Sequence, residues 1–234
     1  VIHVRNVSKS FGDKKVLDNV SFEVSHGSIT GLIGHNGAGK TTLMGILTGL
    51  ISPEDGSVSV GGIDLFKDLG RARDMIGYVP QKTSLYQELS GFENLSYFGS
   101  MLGLKGEVLQ NSIAEVSAMT ALDEHLDKKV IYYSGGMQKR LNLAIGLLGN
   151  PKILYLDEPT VGVDPQTRDI ILEALVRLSK EKGISILYTS HYLQEVSTIC
   201  ERLVVLEHGK IIAYDTLENL LKHSSLEHYM KVHN

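Results

Sequence analysis

The apolar residues at the start of the chain alternate with polar ones. Ile2, Val4 and Val7, then Val16, Leu17, Val20, Phe22 and Val24, predict two strands of a half-exposed sheet. A short apolar run over 28–33 ends in glycine-rich sequence and predicts a buried strand, with a helix after it from Lys40 to about Leu50. Pro53-Glu54-Asp55-Gly56 predicts a turn, and strands are expected over 57–60 and 76–79. From about Ser84 to Tyr133 the period becomes helical, with Leu95, Phe98 and Leu102, then Leu109, Ile113 and Val116. Ser134 is placed to cap a helix running to about Leu148. Strands over 153–156, 184–189, 203–207 and 211–214 then alternate with helices over 165–182 and 192–200, the last strand closing a hairpin after Gly209. Such alternation predicts an α/β fold with a mainly parallel central sheet covered by helices. The expected organisation is one domain over 1–223. Its core, 1–83 and 135–223, includes an N-terminal antiparallel β subdomain, with an inserted helical subdomain at 84–134 and a C-terminal tail at 224–234.

Composition narrows the class only a little. The 234 residues are enough for one large α/β domain with an inserted lobe. Apolar residues at 42% and charged residues at 21% match ordinary globular proteins and exclude a largely disordered chain. A formal net charge of -4 argues against a broad basic face, so no nucleic-acid partner is expected. The single cysteine, Cys200, reads as a small buried apolar residue, and no Cys/His cluster has zinc spacing. The opening Val1-Ile2-His3-Val4 reads as a strand rather than a signal peptide. No apolar stretch approaches the roughly 18 residues that span a bilayer, so membrane association is expected through a partner.

The first candidate chemistry lies between the third strand and the helix after it. Gly34-His35-Asn36-Gly37-Ala38-Gly39-Lys40-Thr41 fits G-x-x-x-x-G-K-[ST], and Thr42 comes next. Glycines let successive backbone N–H groups turn inward as an anion-binding nest, and the helix adds the positive end of its dipole. Lys40 supplies a point charge for outer phosphates, and the Thr41 hydroxyl can ligate Mg2+. The second lies at the end of an apolar run, Ile153-Leu154-Tyr155-Leu156-Asp157-Glu158. Ligands of a parallel sheet sit beyond the carboxyl ends of its strands, which points both acids at the phosphate loop. Asp157 is the natural Mg2+ partner, and Glu158, one residue further out, can orient or deprotonate an attacking water.

Four further pieces occur in order: Gln81 in Tyr78-Val79-Pro80-Gln81, the helix start Tyr133-Ser134-Gly135-Gly136-Met137, Asp164 in 159–165, and Ser190-His191. Together with the P-loop NTPase features above, the set resembles the ATP-binding domain of ABC transporters from about residue 2 to 215. The resemblance implies ATP and Mg2+ as cofactors and ATP hydrolysis as the activity. It makes Gln81 the Q-loop glutamine, which touches Mg2+ or its water and links hydrolysis to a membrane subunit. Ser134, Gly135 and Gly136 become the signature motif, Asp164 the D-loop aspartate and His191 a γ-phosphate contact. Phe11 stands where relatives carry an aromatic that stacks on adenine, with Val16 against the ribose. Two such chains, alike or different, would sandwich two ATP molecules and drive a separate membrane-spanning subunit, which places the chain in the cytoplasm against the inner face of the membrane.

Taken alone, Gln81 reads as a surface residue, Ser134 as a helix cap and His191 as structural or exposed, and the shared order of these three favours their functional reading; Phe11 alone reads as core. Tyr133 and Met137 replace the family's usual leucine and glutamine, a form that resembles the drug- and antibiotic-exporter branch, as does the segment 88–95. His35 stands where a proline is frequent, outside the fixed positions of the loop. A non-transport ATPase of the same family, clamping nucleic acid or ribosomes, is the main rival, but the long coiled-coil insertion or second ATPase half usual there is not seen. A small-molecule kinase would not need Ser134-Gly135-Gly136 followed by His191, and no Asn-Lys-x-Asp segment marks a GTPase.

Overall fold

In the computed structural model, which describes residues 1–223, two sheets stack with helices around them. β1 (Ile2–Phe11), β2 (Lys14–Val24), β4 (Asp55–Val60) and β5 (Ile63–Asp64) form an antiparallel sheet in the order β2-β1-β4-β5. The second sheet contains β3 (Ile29–Ile33), β6 (Ile76–Val79), β7 (Ile153–Asp157), β8 (Ser185–Thr189), β9 (Arg202–Glu207) and β10 (Lys210–Thr216). Its order is β10-β9-β3-β8-β7-β6, parallel throughout except for the hairpin β9–β10. The α/β class and the mainly parallel sheet are therefore as the periodicity predicts.

β3, β7 and β8 are buried along their whole length, as parallel strands covered on both faces must be. Their period of two divides the core in two. Leu154, Leu156, Ile186 and Tyr188 face one cluster, packed under α5 (Gly135–Leu147), α6 (Pro165–Lys182) and α7 (Leu193–Ile199). Ile153, Tyr155 and Leu187 face the other, which they share with Ile2, Val4 and Val58 of the antiparallel sheet and Leu43, Met44 and Leu47 of α1 (Lys40–Leu47). The antiparallel sheet thus lies over one face of the parallel sheet and closes it from water.

The stretch between β6 and α5 is helical, with α3 (Gly91–Met101) and α4 (Gly106–Met119). Ser90 and Glu93 form a capping box that starts α3. Leu95, Ile113, Val116, Leu122 and Val130 join the larger core cluster beside α5. Ser134 does cap α5, accepting from the Met137 amide at 3.2 Å. Three elements escape the periodicity: β5, α2 (Leu69–Arg73) and α8 (Leu217–His223). Two and five residues are too short to show a period in the first two. α1 ends at Leu47 rather than near Leu50, because Thr48 closes it and Gly49 turns to φ 70°. The tail at 224–234 lies outside the described residues. Among the described residues no helix is long and apolar enough to cross a membrane.

Candidate functional site

The parallel registers bring the carboxyl ends of β3, β8, β7 and β6 to one edge. Leu32 pairs with Thr189, Thr189 with Asp157, and Leu156 with Val79. The segments just beyond these strands therefore converge: the glycine loop after β3, Ser190-His191 after β8, Glu158 after β7 and Pro80-Gln81 after β6. Between them lies a cavity of about 440 Å3, lined by Lys14, Lys15, Val16, His35, Asn36, Gly37, Gly39, Lys40, Thr41, Thr42, Gln81, Asp157, Glu158 and His208.

The glycine loop is shaped by contacts a side chain would break. A β-carbon on Gly34 would run into the Leu206 carbonyl, and Gly39, at φ 110°, faces the Val16 carbonyl. Gly37 sits at φ 84° with open space beside it, so its requirement is conformational. Lys40 is buried, and its ammonium donates to the Gly34 carbonyl at 2.6 Å and the His35 carbonyl at 3.3 Å. Burial lowers its pKa, against the opposing pull of Glu158 and Asp157. A buried cation whose hydrogen bonds go to neutral carbonyls, with the two carboxylates acting on it only through space, is suited to an incoming anion.

Thr189 organises the acids. Its hydroxyl donates to Asp157 Oδ1 at 2.9 Å and accepts from the Glu158 amide at 2.9 Å. That amide bond helps hold Glu158 at φ 47°, a left-handed conformation uncommon for a residue with a β-carbon. Burial raises the Asp157 carboxyl pKa, only partly offset by the Thr189 hydroxyl and the nearby Lys40 and Lys139 ammonium groups. Glu158 Oε2 accepts from Gln81 Nε2 at 2.9 Å and lies 3.4 Å from His191 Nδ1. Gln81, Glu158 and His191, separated by up to 110 positions in the chain, thus meet at the Glu158 carboxylate, and Gln81 and Glu158 line the same cavity as Lys40.

Other sequence-derived candidates are not among the residues lining this cavity: Gly34 and Ala38 belong to the loop beside it, His191 reaches it only through Glu158, and the rest lie elsewhere. Phe11 is 51% exposed at the end of β1, with the Lys9 ammonium 5.5 Å from its ring centroid. Ser134 and Gly135 are exposed at the start of α5, and Gly136 is buried against Thr167. Asp164 caps α6 and accepts from the Thr167 amide at 2.9 Å and the Thr167 hydroxyl at 2.7 Å, so the two glycine-side motifs meet through Thr167. Sequence reasoning missed Thr189, Lys139, Asn142, Lys14, Lys15 and His208. Only Thr189 carried a signal, as the last residue of a buried strand immediately before Ser190-His191.

The site unites a phosphate-type loop, a buried lysine and an acid-tipped strand, the arrangement of a nucleotide-hydrolysing domain. Residues 17–161 match the family described as ABC transporter, and the chain belongs to that family. It is 38% identical over 220 residues to the linearmycin resistance ATP-binding protein LnrL of Bacillus subtilis (strain 168), covering 94% of this chain and 70% of that protein. It is 42% identical over 211 residues to the Nod factor export ATP-binding protein I of Sinorhizobium fredii (strain NBRC 101917 / NGR234), covering 90% of this chain and 61% of the relative. The chain thus spans about two thirds of the length of these relatives. A dimeric ATP-binding cassette in a post-hydrolysis state bound to ADP and Pi superimposes with a TM-score of 0.83 at 26% identity, covering 93% of this chain and 99% of the other. The chain is an ATPase domain whose relatives include exporter-type proteins.

Proposed function

We propose that this chain binds ATP and Mg2+ in the cavity beyond β3, β7 and β8, hydrolyses the ATP in a dimer, and drives export through a separate membrane subunit. The observation that supports this most is Glu158, which lines the cavity with Lys40 and is met at one carboxylate oxygen by both Gln81 and His191. Lys40 and the amides of 34–41 would take the phosphates. Glu158 would accept a proton from the attacking water, with Gln81 and His191 fixing its carboxylate and the γ-phosphate side of the site. Phe11 and Val16 would receive the base and ribose.

The donor set fits Mg2+. Among the described residues no group of three or more His, Cys, Asp or Glu side chains could hold a metal alone. Mg2+ does not need one, since it keeps waters and takes phosphate oxygens alongside one or two protein ligands. Asp157 is buried and disfavoured as a bare carboxylate; with the Thr41 hydroxyl and Gln81 it would hold the ion. When bound, the ion supplies charge neutralisation for the phosphates.

The exposed start of α5 would meet a nucleotide held by the second subunit, Asp164 lying at the same junction. The 84–134 segment is read as the lobe that engages the membrane subunit. A groove of about 600 Å3 between it and the core, bordered by Tyr78, Phe98, Met101, Leu102 and Ile145 with Arg73 and Asp74, would offer a mainly apolar seat for a helix of that subunit. This arrangement would keep the chain in the cytoplasm, peripheral to the membrane. The test is Glu158→Gln: turnover should fall by about 100-fold or more while ATP still binds. Full turnover in that variant would contradict the assignment.

A further inference from the structure

The exposed start of α5 and the Glu158 cluster lie on different elements, and two side chains of α5 bridge them. Lys139 and Asn142 stand three residues apart on one face of the helix. The Lys139 ammonium donates to the Gln81 carbonyl at 2.5 Å, and the Asn142 amide donates to the Pro80 carbonyl at 2.9 Å. These are consecutive carbonyls just beyond the point where the β6–β7 pairing ends at Val79. A lysine on a helix surface ordinarily extends its charge into water. Here the stem is half-buried and the ammonium is set on a backbone oxygen, close enough to Glu158 and Asp157 for both carboxylates to support its charge against burial.

We infer that Lys139 is a positioning residue for hydrolysis: by holding the Gln81 backbone it sets the Gln81 amide on Glu158, and it ties that contact to the helix that begins at Ser134. The chain of contacts is continuous. The N-terminal turn of α5 rests on Thr167 through Gly136; one turn further along, Lys139 grips Gln81; the Gln81 side chain reaches Glu158 at 2.9 Å. A displacement of α5, such as capture of its N-terminus by another subunit's nucleotide, is thereby carried to this chain's own carboxylate. The inference rests on the hydrolytic reading above and adds to it a route from one nucleotide site to the next.

The test is steady-state ATPase kinetics of the purified chain with Lys139→Met and Lys139→Arg, alongside direct binding of a non-hydrolysable ATP analogue. Lys139→Met should lower kcat about tenfold with the analogue's Kd changed by less than about twofold, and Lys139→Arg, which can still donate to the carbonyl, should restore at least about half of kcat. An unchanged kcat, or a fall matched by an equal loss of affinity, would overturn the inference. If Lys139→Met also lowers the melting temperature, the Gln81→Ala background decides. There the methionine should cost less than about a further twofold, and a repeated tenfold loss would count against the idea. Glu158→Gln assayed in parallel separates the two readings. Normal turnover in it removes the hydrolytic assignment, whereas normal turnover in Lys139→Met alone removes only this inference.

Discussion

Thr189→Val removes one hydroxyl and leaves the shape of the side chain nearly intact, so its cost isolates two hydrogen bonds. Thr189 is fully buried, and its hydroxyl serves Asp157 Oδ1 and the Glu158 amide, each at 2.9 Å. Losing a bond to a charged acceptor costs about 1.5–3 kcal/mol, and stranding a buried amide costs about 1–3 kcal/mol. Strain at Glu158, at φ 47°, is then less well opposed. The sum is roughly 3–5 kcal/mol. With a urea slope of about 3 kcal/mol per molar for a chain of this size, the unfolding midpoint should fall by roughly 1–1.7 M. Thr189→Ser keeps both bonds and loses one methyl, so it should cost only about 1 kcal/mol. Urea titration of the three proteins by circular dichroism is sufficient. A valine midpoint within about 0.2 M of wild type would show that the hydroxyl does not hold the acids as described.

Two other outcomes are set by the same geometry. Burial raises the Asp157 pKa from the ordinary value of 3.8, so the folded chain keeps a proton that the unfolded chain releases. Between those two pKa values wild-type stability falls as pH rises. Asp157→Asn, which does not titrate, should therefore melt higher than wild type at neutral pH without nucleotide. The gap should close as pH falls towards about 4; a gap that does not vary with pH would refute the sign. Gly136→Ala would set a β-carbon 2.5 Å from the Thr167 hydroxyl oxygen and push Thr167 off Asp164. Turnover should fall while the Kd for ATP at this chain's own cavity, read by equilibrium binding, stays close to wild type; a large loss of affinity would contradict the separation of the two sites.

How much of this was legible in the sequence depended on whether the chemistry is contiguous. The loop at 34–41 and the acids at 157–158 are local, and each is forced into its pattern by one backbone segment facing an anion or the end of a strand. The buried strands β3, β7 and β8 announced themselves as apolar runs because both faces are covered. Thr189, Lys139 and Asn142 gained meaning only through parallel register and helix packing, which bring Thr189 beside Asp157 across 32 positions and Lys139 to Gln81 across 58. Nothing around Lys139 distinguishes it from a solvated helix lysine until α5 is laid against the end of β6. The left-handed turn at Glu158 was hidden for a similar reason, since glutamate has no local preference for it and the Thr189 bond helps impose it.

In the proposed dimer, one chain's Gly34–Thr41 loop and another's Ser134-Gly135-Gly136 would hold the same nucleotide. The most direct measurement is a crystal structure of the Glu158→Gln protein saturated with ATP and Mg2+. The crystal should contain a dimer with the Ser134 hydroxyl and the Gly135 and Gly136 amides of each copy at the γ-phosphate bound by the other. An ATP-filled cavity with the start of α5 remote from any phosphate, in every assembly of the crystal, would contradict it.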